Sequence, residues 1–167
     1  MKLLALLPLL CLALAGCAGS YQLGTTLARN QRDVYVPAIV NESAEPTLHQ
    51  TASTRLLREI QRDGTLNLVS DETSATVVLE VVVKDFKMDV VTYQADDKHT
   101  GREYRGTLYA HIVFRERSTG KVLCSRDVIG EEEFDASGDL NSAKRRMMPA
   151  ACTDLAENIV DACTSLW

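Results

Sequence analysis

The fold is decided by the stretch Thr76 to Tyr93, TVVLEVVVKDFKMDVVTY, and by Tyr104 to Arg117, YRGTLYAHIVFRER, which follows after a polar loop. Both are dense in β-branched and aromatic residues, whose side chains pack well on a pleated surface. Apolar side chains recur at alternate positions, so each stretch is predicted to be a strand with one face in the core. The first stretch is longer than a usual strand of about five or six residues. We therefore predict a bulge or bend between Lys84 and Lys87.

Shorter strands are predicted on both sides of this pair. Ser118 to Lys121, STGK, is a tight turn that leads into a strand from Val122 to Gly130, so these strands form an antiparallel meander. Upstream, Asp33 to Val40 and Thr65 to Ser70 predict two more strands. Pro37 lacks a backbone N–H and therefore indicates an edge position or a bulge in the first of them.

The segment from Thr47 to Asp63 has the periodicity of a helix. Its apolar residues recur every four positions, which places them in one stripe facing a core. Gly64 follows the last turn, where a residue in the left-handed conformation is usual.

A second helix is predicted near the end of the chain. Glu131 to Asn141, EEEFDASGDLN, is predicted to be an acidic loop, and Asn141 or Ser142 is predicted to cap the helix that follows. The helix itself is predicted over Ala143 to Leu166. Pro149 lies inside this segment, so it either kinks the helix or marks its true start.

The predicted order of elements is β-α-β-β-β-β-α, without the repeating βαβ unit of a doubly wound sheet. We therefore predict an α+β fold, a two-layer sandwich with two helices on one face of a mostly antiparallel sheet of about four to five strands. The opposite face would carry Glu80, Lys84, His111 and Arg115 among apolar residues. It either contacts water or meets a partner.

The composition excludes several classes of protein. The chain has 167 residues, 46% of them hydrophobic, so it is large enough for one domain and too apolar for wholesale disorder. Its net charge of −5 argues against a general nucleic-acid binder, which needs a basic surface. Its three histidines are scattered, so no metal site is predicted.

The start of the chain has the pattern of a bacterial lipoprotein signal. After Met1-Lys2, the run LLALLPLLCLALA covers residues 3–15 and ends at Gly16-Cys17. Such a run is too short to cross a bilayer as a helix, which takes about 20 residues, and it has the length of a signal-peptide core. Leu14-Ala15-Gly16-Cys17 resembles the lipobox, where the cysteine receives a diacylglycerol group after cleavage.

This pattern divides the chain into three parts. Residues 1–16 are predicted to be a signal peptide, 17–32 a lipidated tether, and 33–167 a single domain. Several acyl chains on Cys17 would form a stable membrane anchor. Ala18 follows the cysteine; in enterobacterial lipoproteins, an Asp at that position favours the inner membrane, so its absence resembles an outer-membrane address.

Three cysteines remain in the predicted domain, in a compartment that permits disulfides. Cys152 and Cys163 lie eleven positions apart on one predicted helix, roughly 16 Å, which is too far for a bridge. A disulfide would therefore join Cys124 to Cys152 or to Cys163. The alternative is that all three are buried free thiols.

No motif of a nucleophile, a phosphate loop or a metalloprotease occurs, so no catalytic residue, metal or cofactor is predicted. His99, which lies near two aspartates, fits a solvated loop better than a catalytic pair. Cationic side chains form two groups that are candidate contacts for anionic lipid, although exposed charges are the simpler interpretation. The groups are Lys98, Arg102 and Arg105, and Lys144, Arg145 and Arg146.

An ordered set of residues resembles a known family. The set is Tyr21-Gln22-Leu23-Gly24, Val36-Pro37, Asn41, Glu45-Pro46, Leu56, Gly64, Leu68-Val69 and Ala75. Together with the lipobox, it resembles the LptE family of lipopolysaccharide-assembly lipoproteins over most of residues 17–91. Ala18 and Ser20 depart from the family pattern at the start.

The resemblance implies a protein that is not an enzyme. Members of the LptE family sit in a large outer-membrane β-barrel, LptD, as a plug, and help to pass lipopolysaccharide to the outer leaflet. The family fold, two helices against a four-stranded sheet, agrees with the element order read from the residues. The expected partners are thus an LptD-like barrel and lipopolysaccharide, with no nucleic acid. The alternative is a free-standing, periplasm-facing lipoprotein that binds another envelope ligand or protein.

Overall fold

The computed structural model describes residues 27–93, 101–135 and 139–165. The predicted signal peptide, most of the tether with Cys17, and the loop with Lys98 and His99 lie outside the described residues. The elements follow one another in this order: β1 (Asp33–Tyr35), β2 (Val40–Asn41), α1 (Leu48–Asp63), β3 (Asn67–Leu68), β4 (Val77–Tyr93), β5 (Gly101–Glu116), β6 (Val122–Asp135) and α2 (Leu140–Thr164). Short 3₁₀ turns lie at Arg29–Gln31 and Glu72–Ser74.

Two helices pack on one face of a six-stranded sheet, as the α+β prediction requires. The strands lie in the order β3-β1-β4-β5-β6, and β2 also pairs with β4. The long strands β4, β5 and β6 are antiparallel, whereas β1 and β2 run parallel to β4. The sheet is therefore more mixed than predicted, because α1 lies between the short early strands and β4 and acts as a crossover connection.

Pro37 explains why the first predicted strand is two strands. The segment Asp33–Val40 divides into β1 and the start of β2, and both parts hydrogen-bond to β4. Since proline has no N–H to give to a ladder, pairing stops around it and resumes at Val40. The predicted strand from Thr65 to Ser70 likewise shortens to β3, two residues long.

The bend predicted in the long strand β4 is confirmed. Its register with β5 shifts between Val83 and Asp85, where an extra residue interrupts the ladder. Further shifts occur between Val90 and Tyr93, near the end of the hairpin. Such shifts bend a strand that is too long to remain flat.

The prediction of an acidic loop over Glu131 to Asn141 is wrong for Glu131–Asp135. Glu131–Asp135 continues β6, and these residues pair with Glu103–Thr107 of β5. Cross-strand contacts stabilise the acidic run as a strand: Thr107 Oγ1 donates to Glu131 Oε1 over 3.0 Å, and the Phe134 ring stacks 5.8 Å from Tyr104. These partners are far away in sequence, which is why composition alone indicated a loop.

Helix α2 begins three residues earlier than predicted, and its N-cap is Asp139 instead of Asn141 or Ser142. The Asp139 carboxylate accepts hydrogen bonds from the backbone N–H groups of Asn141 and Ser142 at 3.2 and 3.0 Å. Pro149 lies inside the helix, so its alternative role as the helix start is wrong.

The core lies between the helices and one face of the sheet, which we call the inner face. Val77, Leu79 and Val81 of β4 and the alternating residues Leu108 to Phe114 of β5 point into it and are almost fully buried. From the helices, Leu56 and Ile60 meet Leu155 and Ile159 in the same cluster, at the positions that helical periodicity predicted; Leu27, within the predicted tether, is also buried there.

Candidate functional site

The side of the sheet that faces away from the helices, here called the outer face, carries a ladder of polar contacts between strands. Arg115 Nη2 on β5 donates to Glu80 Oε1 on β4 over 2.8 Å, and Arg105 Nη2 donates to Glu133 Oε1 on β6 over 2.6 Å. Most outer-face side chains are exposed or half-buried, although Val78 and Thr107 are buried. The predicted wet face is thus a surface of paired charges open to solvent or to a partner.

Three side chains on the outer face have the connectivity of a hydrolytic triad. Ser125 Oγ lies 3.3 Å from His111 Nε2, and His111 Nδ1 lies 2.7 Å from Asp127 Oδ1. Sequence reasoning missed this group because the histidine lies on β5 and its neighbours on β6, and only the strand register brings them together. The alternation of serine and aspartate on one predicted strand was the available signal.

The surroundings of these three residues do not resemble a catalytic site. A triad needs a site shielded from water, with donors aimed at the developing oxyanion. The Asp127 side chain is 88% exposed, and Ser125 is exposed on an open strand. We therefore interpret the group as part of the cross-strand ladder.

The first predicted group of cations lies at the far end of the hairpin and is partly neutralised. Arg105 pairs with Glu133, and this contact raises the pKa of the guanidinium above its usual value. Arg102 Nε lies 4.0 Å from Asp135 Oδ2. An anionic ligand at either arginine would have to compete with a carboxylate already in place.

The second predicted group lies in the first turns of α2. Lys144 Nζ contacts Glu45 Oε1 at 2.7 Å and lies 6.0 Å from the centre of the Phe86 ring, so it fixes the helix start to the segment before α1. Arg145 Nη2 donates to Ser142 Oγ over 3.3 Å. Arg145 and Arg146 are exposed and form no ion pair within the described part of the chain.

The structure does not join the two cationic groups into one patch. Arg105 lies on the outer face, whereas α2 packs on the inner face, where Met147 lies over Gly106. Of the candidate contacts that are described, Arg145 and Arg146 form no ion pair, although the charge of Arg145 helps to lower the pKa of the Asp139 carboxyl. Lys98 lies outside the described residues.

The three cysteines of the domain are free and buried in this structure, which is the second of the two alternatives. Desolvation raises the pKa of Cys152 to about 12, and it raises the pKa of Cys163 further above the usual thiol range. The thiols of Cys152 and Cys163 therefore stay protonated, and all three cysteines pack as small apolar side chains.

An open groove of about 410 Å³ lies between the free edge of β6 and the last turns of α2. Its walls are Arg126, Asp127, Val128 and Ile129 on the strand and Asn158, Asp161, Ala162 and Ser165 on the helix. Sequence reasoning did not find this groove, because it depends on how α2 crosses the sheet.

Apolar side chains are also exposed at the end of β4. Val91 is 44% exposed and Tyr93 is 53% exposed. Exposed apolar groups next to paired charges are usual at sites that meet another macromolecule.

Two classes of site are not found in the described ranges 27–93, 101–135 and 139–165. No group of three or more His, Cys, Asp or Glu side chains there could hold a metal ion. Neither helix has the length and apolar character needed to cross a bilayer.

The LptE family, whose description is lipopolysaccharide assembly, matches residues 31–162 of this chain. The match covers the whole sheet and nearly all of α2. The chain therefore belongs to the LptE family, as the ordered residue set indicated. A comparison with curated protein sequences gave no match.

Solved structures support the fold. A PelC dodecamer from Paraburkholderia phytofirmans matches with a TM-score of 0.54 at 14% identity, over 85% of this chain and 93% of that one. The protein CT253 from Chlamydia trachomatis matches with a TM-score of 0.54 at 10% identity, over 78% of this chain and 94% of that one. A minor lipoprotein from Acinetobacter baumannii matches with a TM-score of 0.50 at 15% identity, over 77% and 89% of the two chains. At these identities the likeness is one of fold.

Proposed function

We propose that this protein is an outer-membrane lipoprotein that faces the periplasm and is the partner of an LptD-like β-barrel in lipopolysaccharide transport. The observation that carries the proposal is the LptE family match over residues 31–162. The lipobox at Leu14 to Cys17 supports it independently, because it supplies a membrane anchor to a domain whose two helices are not membrane spans.

The arrangement of the domain is compatible with a plug in a barrel. Within the described residues, both helices pack on the inner face, which leaves the outer face of β4, β5 and β6 available to a surrounding wall. Paired charges on that face suit a wet, polar barrel lumen, since they carry their own counter-charges into the contact. The LptE family is not an enzymatic one, so the proposal assigns this protein no catalytic residue.

We further propose Cys17 as the site of lipid attachment, with fatty acylation of the new N-terminus after cleavage. Several acyl chains bind a membrane stably, whereas one chain is marginal. Of the cationic candidates, Arg145 and Arg146 are the best placed to contact lipid phosphates, because both are exposed and neither forms an ion pair within the described residues.

The test is depletion in the native host combined with affinity purification of the tagged, lipidated protein. We expect the tagged protein to recover a large β-barrel, and depletion to lower the lipopolysaccharide at the cell surface. A Cys17→Ser variant is the control for anchoring and should lose the membrane fraction. Recovery of the protein alone, with normal surface lipopolysaccharide after depletion, would contradict the proposal and favour a free-standing lipoprotein.

A further inference from the structure

We propose that the free edge of β6 between Val122 and Asp127 is a docking site for an extended segment of the partner protein, which adds to the sheet as a further strand. The identity of that partner as the barrel rests on the proposed function, whereas the site itself rests on the geometry of β6.

The backbone of β6 offers unpaired groups along this edge. In an antiparallel ladder, successive residues point their N–H and C=O groups alternately toward and away from the neighbouring strand. Ile129 and Glu131 point away from β5, since their backbone groups bond to side chains of α2. The register of β6 is regular from Cys124 to Asp135, so Ser125 and Asp127 point the same way. Within the described residues, no partner bonds to the backbone groups of these two.

Within the described part of the chain, helix α2 closes the edge at one place, around Ile129 and Glu131. The backbone N–H of Glu131 donates to Asp154 Oδ2 over 2.8 Å, and Asn158 Nδ2 donates to the carbonyl of Ile129 over 3.0 Å. Gly130 makes this approach possible, because a Cβ there would lie 2.6 Å from the carbonyl oxygen of Ala151. The side chains of Asp154 and Asn158 thus take the place of a neighbouring strand at Glu131 and Ile129. Their hydrogen bonds to the β6 backbone end before Asp127.

The open part of the edge is long and borders the groove. A long exposed edge strand is a template for pairing, and proteins commonly shorten or cover such edges. The opposite edge of the sheet follows that rule, since β3 has two residues, whereas β6 has fourteen. Beside Arg126 to Ile129, the groove of about 410 Å³ leaves room for side chains of an added strand.

The side chains on the edge indicate the chemistry of the added segment. On the outer face, Val122 is 51% exposed and Ile129 is 44% exposed, so apolar or β-branched residues opposite them would be buried. On the inner side, the groove is lined by the guanidinium of Arg126 and the carboxylate of Asp161, whereas the Asp127 carboxylate faces His111 on the outer face. The segment that fits is extended, with apolar residues on its outer face and polar side chains that pair with Arg126 or Asp161 on its inner face.

Hydrogen exchange of the lipidated protein, alone and in its purified complex with the barrel, tests this proposal at single-amide resolution. We expect the amides of Ser125 and Asp127 to exchange at least about tenfold more slowly in the complex, since each would donate to the new strand. Unchanged exchange at both amides in a complex that contains the barrel would overturn the strand addition and leave the proposed function standing. Failure to recover any barrel would overturn the proposed function and, with it, the barrel as the occupant of this edge.

Proline variants test the same site by removing one backbone donor. Ser125→Pro is expected to lower the recovery of the barrel at least about tenfold, whereas Ser125→Ala, which keeps the N–H, should not. Ser125→Ala is the matched control, because it loses the same hydroxyl and keeps the backbone N–H. Equal recovery for Ser125→Pro and Ser125→Ala, with both variants folded by circular dichroism, would contradict the proposal. Protection of Ser125 and Asp127 in the protein alone at high concentration would instead assign the edge to a second copy of the chain.

Discussion

At the scale of single residues, two glycines decide how closely α2 approaches the sheet. Gly130 on β6 faces the helix backbone itself: an added Cβ would lie 2.4 Å from Leu155 Cβ and 2.6 Å from the Leu155 nitrogen. Gly106 on β5 is crowded as well, but by the terminal methyl of Met147 at 1.8 Å. A flexible side chain can move aside, whereas a helix backbone cannot move without shifting its whole contact with the sheet.

These two glycines give a matched pair of substitutions. Gly130→Ala should destabilise the domain by about 1–3 kcal/mol through overpacking against α2. Gly106→Ala should cost less than about 1 kcal/mol, because Met147 has other rotamers available. Urea unfolding of both variants measures the difference. Equal losses of unfolding free energy in the two variants would show that α2 is not held rigidly against Gly130.

At the scale of elements, α2 depends on its start. Asp139 accepts hydrogen bonds from two backbone N–H groups of the first turn and from the Ser142 hydroxyl at 2.6 Å. The hydrogen bonds from Ser142 are the largest cause that lowers the pKa of the Asp139 carboxyl below its usual value of 3.8. Lys144 then fixes the same turn to Glu45, so the cap and the ion pair together anchor the helix end above the hairpin.

The cap has a predictable dependence on pH. A carboxyl whose pKa is lower in the folded state stabilises the fold fully above the unfolded value near 3.8, and this stabilisation is lost as the pH falls through the folded pKa. We expect Asp139→Ala to lower the thermal midpoint at pH 7, and this deficit to shrink below pH 3.8. Thermal unfolding of the unchanged protein and of Asp139→Ala, followed at pH 7 and below pH 3.8, measures this deficit. A deficit that stays constant with pH would contradict a role for the ionised cap.

At the scale of the whole molecule, the cysteines report on the integrity of the core. Cys124 lies on the inner face of β6, and Cys152 and Cys163 lie on α2 in the same core cluster. A reagent can reach these thiols only when the helix layer separates from the sheet. Their reactivity therefore measures opening of the whole domain.

We expect three thiols to react in denaturant and almost none in the native mature chain that carries Cys17→Ser. With a pKa of about 12, Cys152 at pH 8 should react roughly 10³-fold more slowly than an ordinary thiol from its ionisation alone. Labelling with a thiol reagent at pH 8, with and without guanidinium chloride, is the measurement. A single thiol in denaturant, with a mass 2 Da lower, would instead show the bridge of Cys124.

Much of the fold was predictable from local patterns. The alternation in β4 and β5, the four-residue spacing in α1 and the turn at Ser118–Lys121 all depend on neighbours in the chain, and each agrees with the structure. The acidic end of β6 and the N-cap of α2 were not predicted correctly. In β6 the stabilising partners are Tyr104, Arg105 and Thr107, about 24 to 30 positions away, and no local pattern reveals them.

The sequence by itself determined the anchor motif, the class of fold and the family, because these depend on composition, periodicity and the order of short motifs. Tertiary structure alone decided which charges form ion pairs, which side chains meet at Ser125, and which sheet edge stays open among the described residues. These features depend on strand register and on the path of α2 over Gly130. The physical reason is that strand register and helix crossing are set by contacts between residues distant in sequence. The energies of these contacts depend on the whole fold and cannot be read from neighbours in the chain.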